Sequence, residues 1–231
     1  MSPTYGLTIA VPRGALFTGT VELLGALGLD TAELRSNYRK LLFEEIGVIT
    51  MRPSDVPTYV EAGAADLGVT GKDVLLEQAA AHPGEGGREV YELLDLGYGR
   101  CKMVLASRVG PDPALEALRR LGVMRVATKY PRVASRHLEE TGRQAEIVEV
   151  GGSVELAPLT GIVEAIVDLT ATGTTLRENN LMIREEIAVC TARLIANPVA
   201  HKLKAAAIDD LLGQVRDLAP QRGSLPAAGA A

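Results

Sequence analysis

The sequence predicts an α/β protein, and three of its features do so. Short runs of β-branched and apolar residues recur along the chain, helical stretches separate them, and several runs end in a glycine- or proline-bearing turn that leads straight into a helix. Apolar runs interleaved with helices in this way belong to parallel or mixed sheets covered on both faces. The length of 231 residues exceeds the usual single domain of roughly 100–150 residues, which predicts two α/β lobes on one chain.

In order, the first run is LTIAV (Leu7–Val11), followed by the turn VPRG and the helical stretch ALFTGTVELLGALG. IGVITM (Ile46–Met51) is the second, and DLGVT (Asp66–Thr70) the third, running through Gly71 into KDVLLEQAA. KMVLAS (Lys102–Ser107) and RVAT (Arg125–Thr128) follow, the latter leading through TKYP into RVASRHLEETG. EIVEV (Glu146–Val150) and AIVDLT (Ala165–Thr170) come next, the second continuing through TATG into TTLRENN, and IAVCTARLIAN (Ile187–Asn197) reads as one last strand. HPGEGGRE (His82–Glu89) reads as a surface loop, and LAPQRGSLPAAGAA (Leu218–Ala231) as a disordered tail. In open α/β sheets ligands sit outside the carboxyl ends of strands, where helix N-termini offer unpaired N–H groups. The four strand-turn-helix edges are therefore the places to look for a site.

Composition narrows the function. The formal net charge is −5, with no block of like charge, so neither nucleic acid nor an anionic membrane is indicated as a partner. Aromatic residues make up 3% and Trp is absent, which argues against base-stacking platforms. His82, His137 and His201 lack paired-ligand spacing, so no protein-built metal site is expected. Cys101 and Cys190 lack any CxxC spacing and read as buried small hydrophobes in a reducing compartment. The N-terminus has too short an apolar run for a signal peptide, and no stretch is long enough to span a bilayer, which predicts a soluble, cytoplasmic protein.

One stretch asks for a specific ligand: DLTATGTTLRENNL, Asp168 to Leu181. Ala171 and Gly173 leave backbone amides unobstructed, Thr172, Thr174 and Thr175 add hydroxyls, and a helix begins near Thr174. These make a phosphate cradle that is neither a Walker loop nor a dinucleotide fingerprint. An acid just before such a loop suggests a sugar phosphate, its carboxylate accepting ribose hydroxyls. Upstream, GGSVELAP places Glu155 in the first turn of a short helix capped by Ser153, so a second carboxylate can serve the same sugar. Spacing alone leaves the plainer readings open: Asp168 as a strand-end acid capping the next helix, and Glu155 as a capping-box residue.

GSVELAPLTGIVEAIVDLTATGTTLRENNL, together with ADLGVTGKDVL, LGYGRCKMVLA and RVATKYP, closely resembles ATP phosphoribosyltransferase, the first enzyme of histidine biosynthesis, over about Leu7 to Leu212. The resemblance implies two lobes of the periplasmic-binding-protein (type II) kind with the active site in the cleft between them. Lobe one would comprise residues 1–100 plus 184–218, lobe two residues 101–183 with the loop that binds phosphoribosyl pyrophosphate (PRPP), and 219–231 a disordered tail. It implies transfer of the phosphoribosyl group of PRPP to N1 of ATP with Mg²⁺ accompanying the substrates. Asp168 and Glu155 would be catalytic, and Ala171 to Thr175 would wrap the 5′-phosphate.

Cations for the polyphosphates would come from lobe one. Where the family usually has Lys-Gly-Arg, this chain has Arg13, Gly14 and Ala15, so the second charge is lost. Arg13, Gly14, Arg52, Gly71, Lys72 and Tyr130 are the candidates for ATP and phosphate contacts, Tyr130 by packing against nucleotide. For Arg13 an ordinary turn with a solvated arginine, for Lys72 a surface lysine, and for Cys101 and Lys102 a strand at the hinge between lobes remain the alternatives. The chain stops without the long form's extra regulatory domain, so the resemblance is to the short form. That form implies a partner subunit resembling histidyl-tRNA synthetase and a homodimer within a hetero-oligomer. A two-lobed small-molecule-binding module and a catalytically weak assembly subunit are the rival readings.

Overall fold

A computed structural model describes residues 6–79 and 89–218 of the chain. The expected loop at 82–89, apart from Glu89, and the expected tail beyond Leu218 lie outside them. The described residues divide into two compact units, the first comprising 6–75, 89–99 and 191–218 and the second 76–79 and 100–190.

The first unit opens with strand β1 (Ile9–Pro12), helices α1 (Phe17–Ala26) and α2 (Ala32–Ser36), and strands β2 (Leu42–Phe43) and β3 (Val48–Met51). It continues with α3 (Val56–Glu61), β4 (Leu67–Gly71), α4 (Lys72–Ala79), which crosses the unit boundary, and β5 (Tyr91–Asp95). The second unit follows with β6 (Cys101–Arg108), α5 (Pro113–Leu121), β7 (Met124–Thr128), α6 (Pro131–Glu140) and β8 (Ala145–Glu149). It closes with α7 (Leu156–Leu159), β9 (Ala165–Thr170), α8 (Thr174–Glu178) and β10 (Leu181–Cys190). The chain then returns to the first unit with β11 (Ala192–Ala196), α9 (Pro198–Leu203) and α10 (Ala205–Leu218).

Each unit is built on a mixed sheet, in the orders β2-β3-β1-β4-β11-β5 and β10-β6-β9-β7-β8. In the first, β1 runs parallel to β3 and β4, while β11 is antiparallel to both β4 and β5. In the second, β7 is parallel to β8 and β9, and β6 is antiparallel to β9 and β10. Side chains alternate across a strand, and the buried clusters follow that alternation. Ile9 and Val11 pack on one face of the first sheet and Ala10 on the other; Met103 and Leu105 pack on one face of the second, Val104 and Ala106 on the other. Gly68 lets α3 lie against the first sheet, because a Cβ there would meet Val56 Cγ1 at 2.6 Å and Val60 Cγ2 at 2.7 Å.

The run Ile187–Asn197 is not one strand: it is divided at Thr191 between β10 of the second sheet and β11 of the first. β2, β5 and the first part of β10 are strands that the apolar pattern missed. β2 has two residues, and β5 (YELLD) and β10 (LMIREEIAVC) are edge strands carrying charge, where only one neighbour is present and period is weak. Cys190 is buried as expected, whereas Cys101 is only half-buried.

Candidate functional site

The geometry of the DLTATGTT stretch follows from β9. Asp168 and Ile166 are two residues apart and so share a face of that strand. Ile166 packs in one apolar cluster with Val154 and Ala157, which flank Glu155, and with Leu176 of α8. Asp168, the turn bearing Glu155 and the helix after the loop are thus fixed to the same side of the second sheet. Both carboxylate residues are half-buried. The Asp168 carboxylate accepts from the backbone N–H of Leu169 at 2.8 Å.

Gly173 sits in the left-handed region with φ 73 as the N-cap of α8. There only glycine is unstrained, and a Cβ would also lie 3.2 Å from Arg177 Nη1. The loop is organised by its own hydroxyls: the Gly173 N–H donates to Thr170 Oγ1 at 2.8 Å, and the Thr172 and Thr174 hydroxyls share a 2.9 Å bond. Arg177 spans it, donating from Nη1 to the Thr172 carbonyl and from Nη2 to Thr174 Oγ1, both at 3.0 Å. This residue was missed in the sequence; its signal was a basic side chain three positions after Thr174, one helical turn away. A cavity of about 420 Å³ borders the loop, lined by Thr170–Gly173 and Arg177 together with Leu181–Ile183 and Lys102. Lys102 lies opposite Thr170 in the ladder and is paired with Glu186.

Two local expectations change. Glu155 is itself the N-cap of α7 rather than in its first turn, and its side chain makes no cap bond. Ser153 does not cap that helix with its side chain; it adopts φ 50, and its carbonyl accepts from the Leu156 N–H at 3.1 Å as Val154 enters the core.

In the first unit the candidate cations are held very differently. Arg13 is 8% exposed, its guanidinium stacked over the rings of Phe17 and Tyr38 at 4.8 and 4.5 Å. Its Nη2 donates to the Lys40 carbonyl at 2.9 Å and to Thr50 Oγ1 at 3.0 Å, leaving Nε and Nη1 without a partner among the described residues. Burial holds its pKa below the ordinary arginine value, a shift that the Tyr38 hydroxyl partly opposes. Gly14 turns the chain at φ 83, and Ala15 is exposed. Arg52 is exposed just after β3. At Gly71 a Cβ would fall 2.0 Å from Asp73 Oδ1, so a side chain there would displace the Asp73 carboxylate. Lys72 Nζ is paired with Glu92 at 2.7 Å, in a network that continues through Arg193 to Asp95. In the second unit Tyr130 is 6% exposed within the core, and Lys129 lies over its ring at 5.0 Å.

Among the described residues no group of three His, Cys, Asp or Glu side chains is placed to hold a metal ion, and no helix is long and apolar enough to cross a membrane.

Residues 52–217 match the family model described as HisG, ATP phosphoribosyltransferase. The ATP phosphoribosyltransferase of Rubrobacter xylanophilus is 53% identical over 213 residues, covering 91% of this chain and 95% of that protein. That of Ruminiclostridium cellulolyticum is 43% identical over 222 residues, covering 94% and 99%. Among solved structures, the ATP phosphoribosyl transferase (HisG:HisZ) complex from Thermotoga maritima has a chain 32% identical with a TM-score of 0.75, covering 93% of this chain and 99% of that one. The Escherichia coli periplasmic aliphatic sulphonate binding protein SsuA, at 15% identity and a TM-score of 0.58, shares the fold alone.

Proposed function

This chain belongs to the ATP phosphoribosyltransferase family, and from that premise we propose that it transfers the 5-phosphoribosyl group of PRPP to N1 of ATP, the first step of histidine biosynthesis. The observation that carries the reading to named residues is the loop after β9, in which Gly173 turns the chain and Arg177 and the threonine hydroxyls organise the turn that follows Asp168. Backbone N–H groups turned to one side of such a loop form a concave anion site.

In the reaction the lone pair of adenine N1 forms a bond to the anomeric carbon, while the bond from that carbon to pyrophosphate breaks and its electrons leave with the polyanion. Positive charge develops on the sugar, so the protein's contribution is positional and electrostatic. Asp168 and Glu155 hold the ribose hydroxyls and favour that charge; Ala171, Thr172, Gly173, Thr174 and Thr175 bind the 5′-phosphate. In the first unit Gly14, Arg52 and Gly71 contact ATP phosphates, and Arg13, enclosed by Phe17, Tyr38, Lys40 and Thr50, serves by fixing the turn after β1. Lys72 and Tyr130 serve through the groups they already touch, Lys72 by its pairing with Glu92 and Tyr130 by anchoring the start of α6. Mg²⁺ carried on the substrates' phosphate oxygens would supply positive charge to the departing pyrophosphate, and the half-buried Asp168 and Glu155 fit an ion held in that way rather than in a protein cage.

Likeness to a chain of the HisG:HisZ complex supports a hetero-oligomer with a second kind of chain; that this partner resembles histidyl-tRNA synthetase, that the present chain forms a homodimer within the assembly and that it works in the cytoplasm belong to the same proposal. Incubation of the purified chain with ATP, PRPP and Mg²⁺ tests the reading through the ultraviolet absorbance of phosphoribosyl-ATP. Its activity is expected to rise, and to become histidine-sensitive, on adding the partner. No product with or without partner would leave a binding module or an assembly subunit.

A further inference from the structure

The chain has two cysteines, 101 and 190, and the fold sets them face to face. Cys101 opens β6 and Cys190 closes β10, and the antiparallel register pairs them directly, beyond Lys102 with Val189 and Met103 with Ala188. Residues opposed in this way project to the same face with Cβ atoms roughly 4.5–5.5 Å apart. A disulfide asks for Cα atoms about 4.4–6.8 Å apart and Cβ atoms about 3.5–4.5 Å apart, so a closure of an ångström or less suffices. The position permits it. The pair ends the ladder, outside the register shift between Glu186 and Ala188, and β9 pairs with β6 only from Lys102 onward. The chain also enters the second unit at residue 100 and leaves it after 190, so a bond here would close nearly that whole unit into one covalent loop.

We infer that Cys101 and Cys190 form a reversible cross-strand disulfide whose state follows the surrounding thiol–disulfide balance, with a low-molecular-weight disulfide such as oxidised glutathione as the oxidant. Cys101, half-buried beside buried Cys190, is the entry point. Its thiolate attacks one sulfur of the small disulfide; that S–S bond breaks, a mixed disulfide forms and one small thiolate leaves. The Cys190 thiolate then attacks Cys101 Sγ, the protein S–S bond forms and the second small thiolate departs. Two electrons pass from the cysteines to the small disulfide, and the two protons they release end on the two small thiols. A dithiol reductant reverses both steps.

The test uses the full chain equilibrated across ratios of oxidised to reduced glutathione, then acid-quenched. Thiols should fall from two per chain to none, with an intact-mass loss of about 2 Da for the two hydrogens removed and no retained glutathione. Digestion should yield a Cys101–Cys190 linked peptide, and Tm should rise by about 5 °C or more, because a long loop is constrained in the unfolded chain. Dithiothreitol should reverse every change. Cys190→Ser should instead keep one glutathione on Cys101, with no linked peptide and no such rise. Wild-type chains that keep both thiols throughout, hold glutathione stably on Cys101, or link only to other chains would overturn the inference. None of these readouts depends on phosphoribosyl transfer.

Discussion

The loop after β9 and the loop after β1 are written in the same terms and used in opposite ways. Each follows a buried strand, turns on a glycine in the left-handed region, φ 73 at Gly173 and φ 83 at Gly14, and has an arginine beside it. After β9, exposed Arg177 lies along the loop and holds it by two hydrogen bonds, so its charge is presented at the surface beside the threonine hydroxyls. After β1, Arg13 is buried between Phe17 and Tyr38 and bonded to Lys40 and Thr50. A strand-glycine-helix edge is therefore not yet an anion site. What its cation is packed against decides whether the charge is offered or absorbed.

The largest effect is expected from Gly173→Val. A β-branched side chain there meets both an unfavourable φ and the Arg177 guanidinium. PRPP affinity is expected to fall at least ~100-fold, about 2.7 kcal/mol, while the chain still unfolds cooperatively. Gly14→Val carries similar strain but meets nothing within 4 Å. It should lower Tm yet weaken PRPP binding at least ten times less than Gly173→Val, by calorimetry; equal losses would erase the distinction between the loops.

Asp168→Asn keeps shape and removes charge. Turnover is expected to drop at least ~10-fold with a smaller change in PRPP affinity, since a transition-state interaction is lost. A change confined to KM would make Asp168 a binding residue only.

The two arginines sharpen the comparison at smaller amplitude. Arg177→Ala should raise the PRPP KM by about 3–10-fold with kcat within ~2-fold, as expected for one charge-assisted contact, and Arg177→Lys should recover part of it. Arg13→Ala should act on stability as well, by roughly 1–2 kcal/mol, because it removes the cation between two rings. Denaturant midpoints beside steady-state kinetics separate the two behaviours.

The smallest effect lies away from both loops. Burial alone would raise the Glu185 carboxyl, but Arg143 at 2.7 Å and His137 at 2.9 Å outweigh it and hold it below the usual glutamate value. The stability this contributes is present above the unfolded-state value, near pH 4.5, and is lost as pH falls through the lower folded value. Glu185→Gln should thus lower stability slightly at pH 7, by less than about 1 kcal/mol for so accessible a pair, read as a small fall in Tm. The gap should narrow as pH falls from 4.5 through the folded value, and an unchanged gap at the acid end would assign the loss to packing.

Much of this could be read before folding. The strands at 7–11, 102–107, 125–128 and 165–170 stand within a few residues of β1, β6, β7 and β9, because a buried strand repeats apolar residues whichever partner covers it. The cradle was equally plain, since its hydroxyls and glycine are consecutive and bond mostly to one another. Edge strands β5 and β10 were not, because charge on an edge interrupts the apolar pattern.

The fold class, the threonine-glycine loop with its preceding acid, and the loss of a second charge at Ala15 are each written in neighbouring residues. Only the tertiary structure decided which cation stays available, which strand ends meet and which turn bears Glu155. Arg13 is buried by Tyr38, Lys40 and Thr50, and Cys101 faces Cys190 across a ladder. The physical reason is the range of the interactions: loop conformation is settled by bonds spanning two to five residues, whereas burial and pairing are settled by residues far apart in the chain, whose meeting no local pattern encodes.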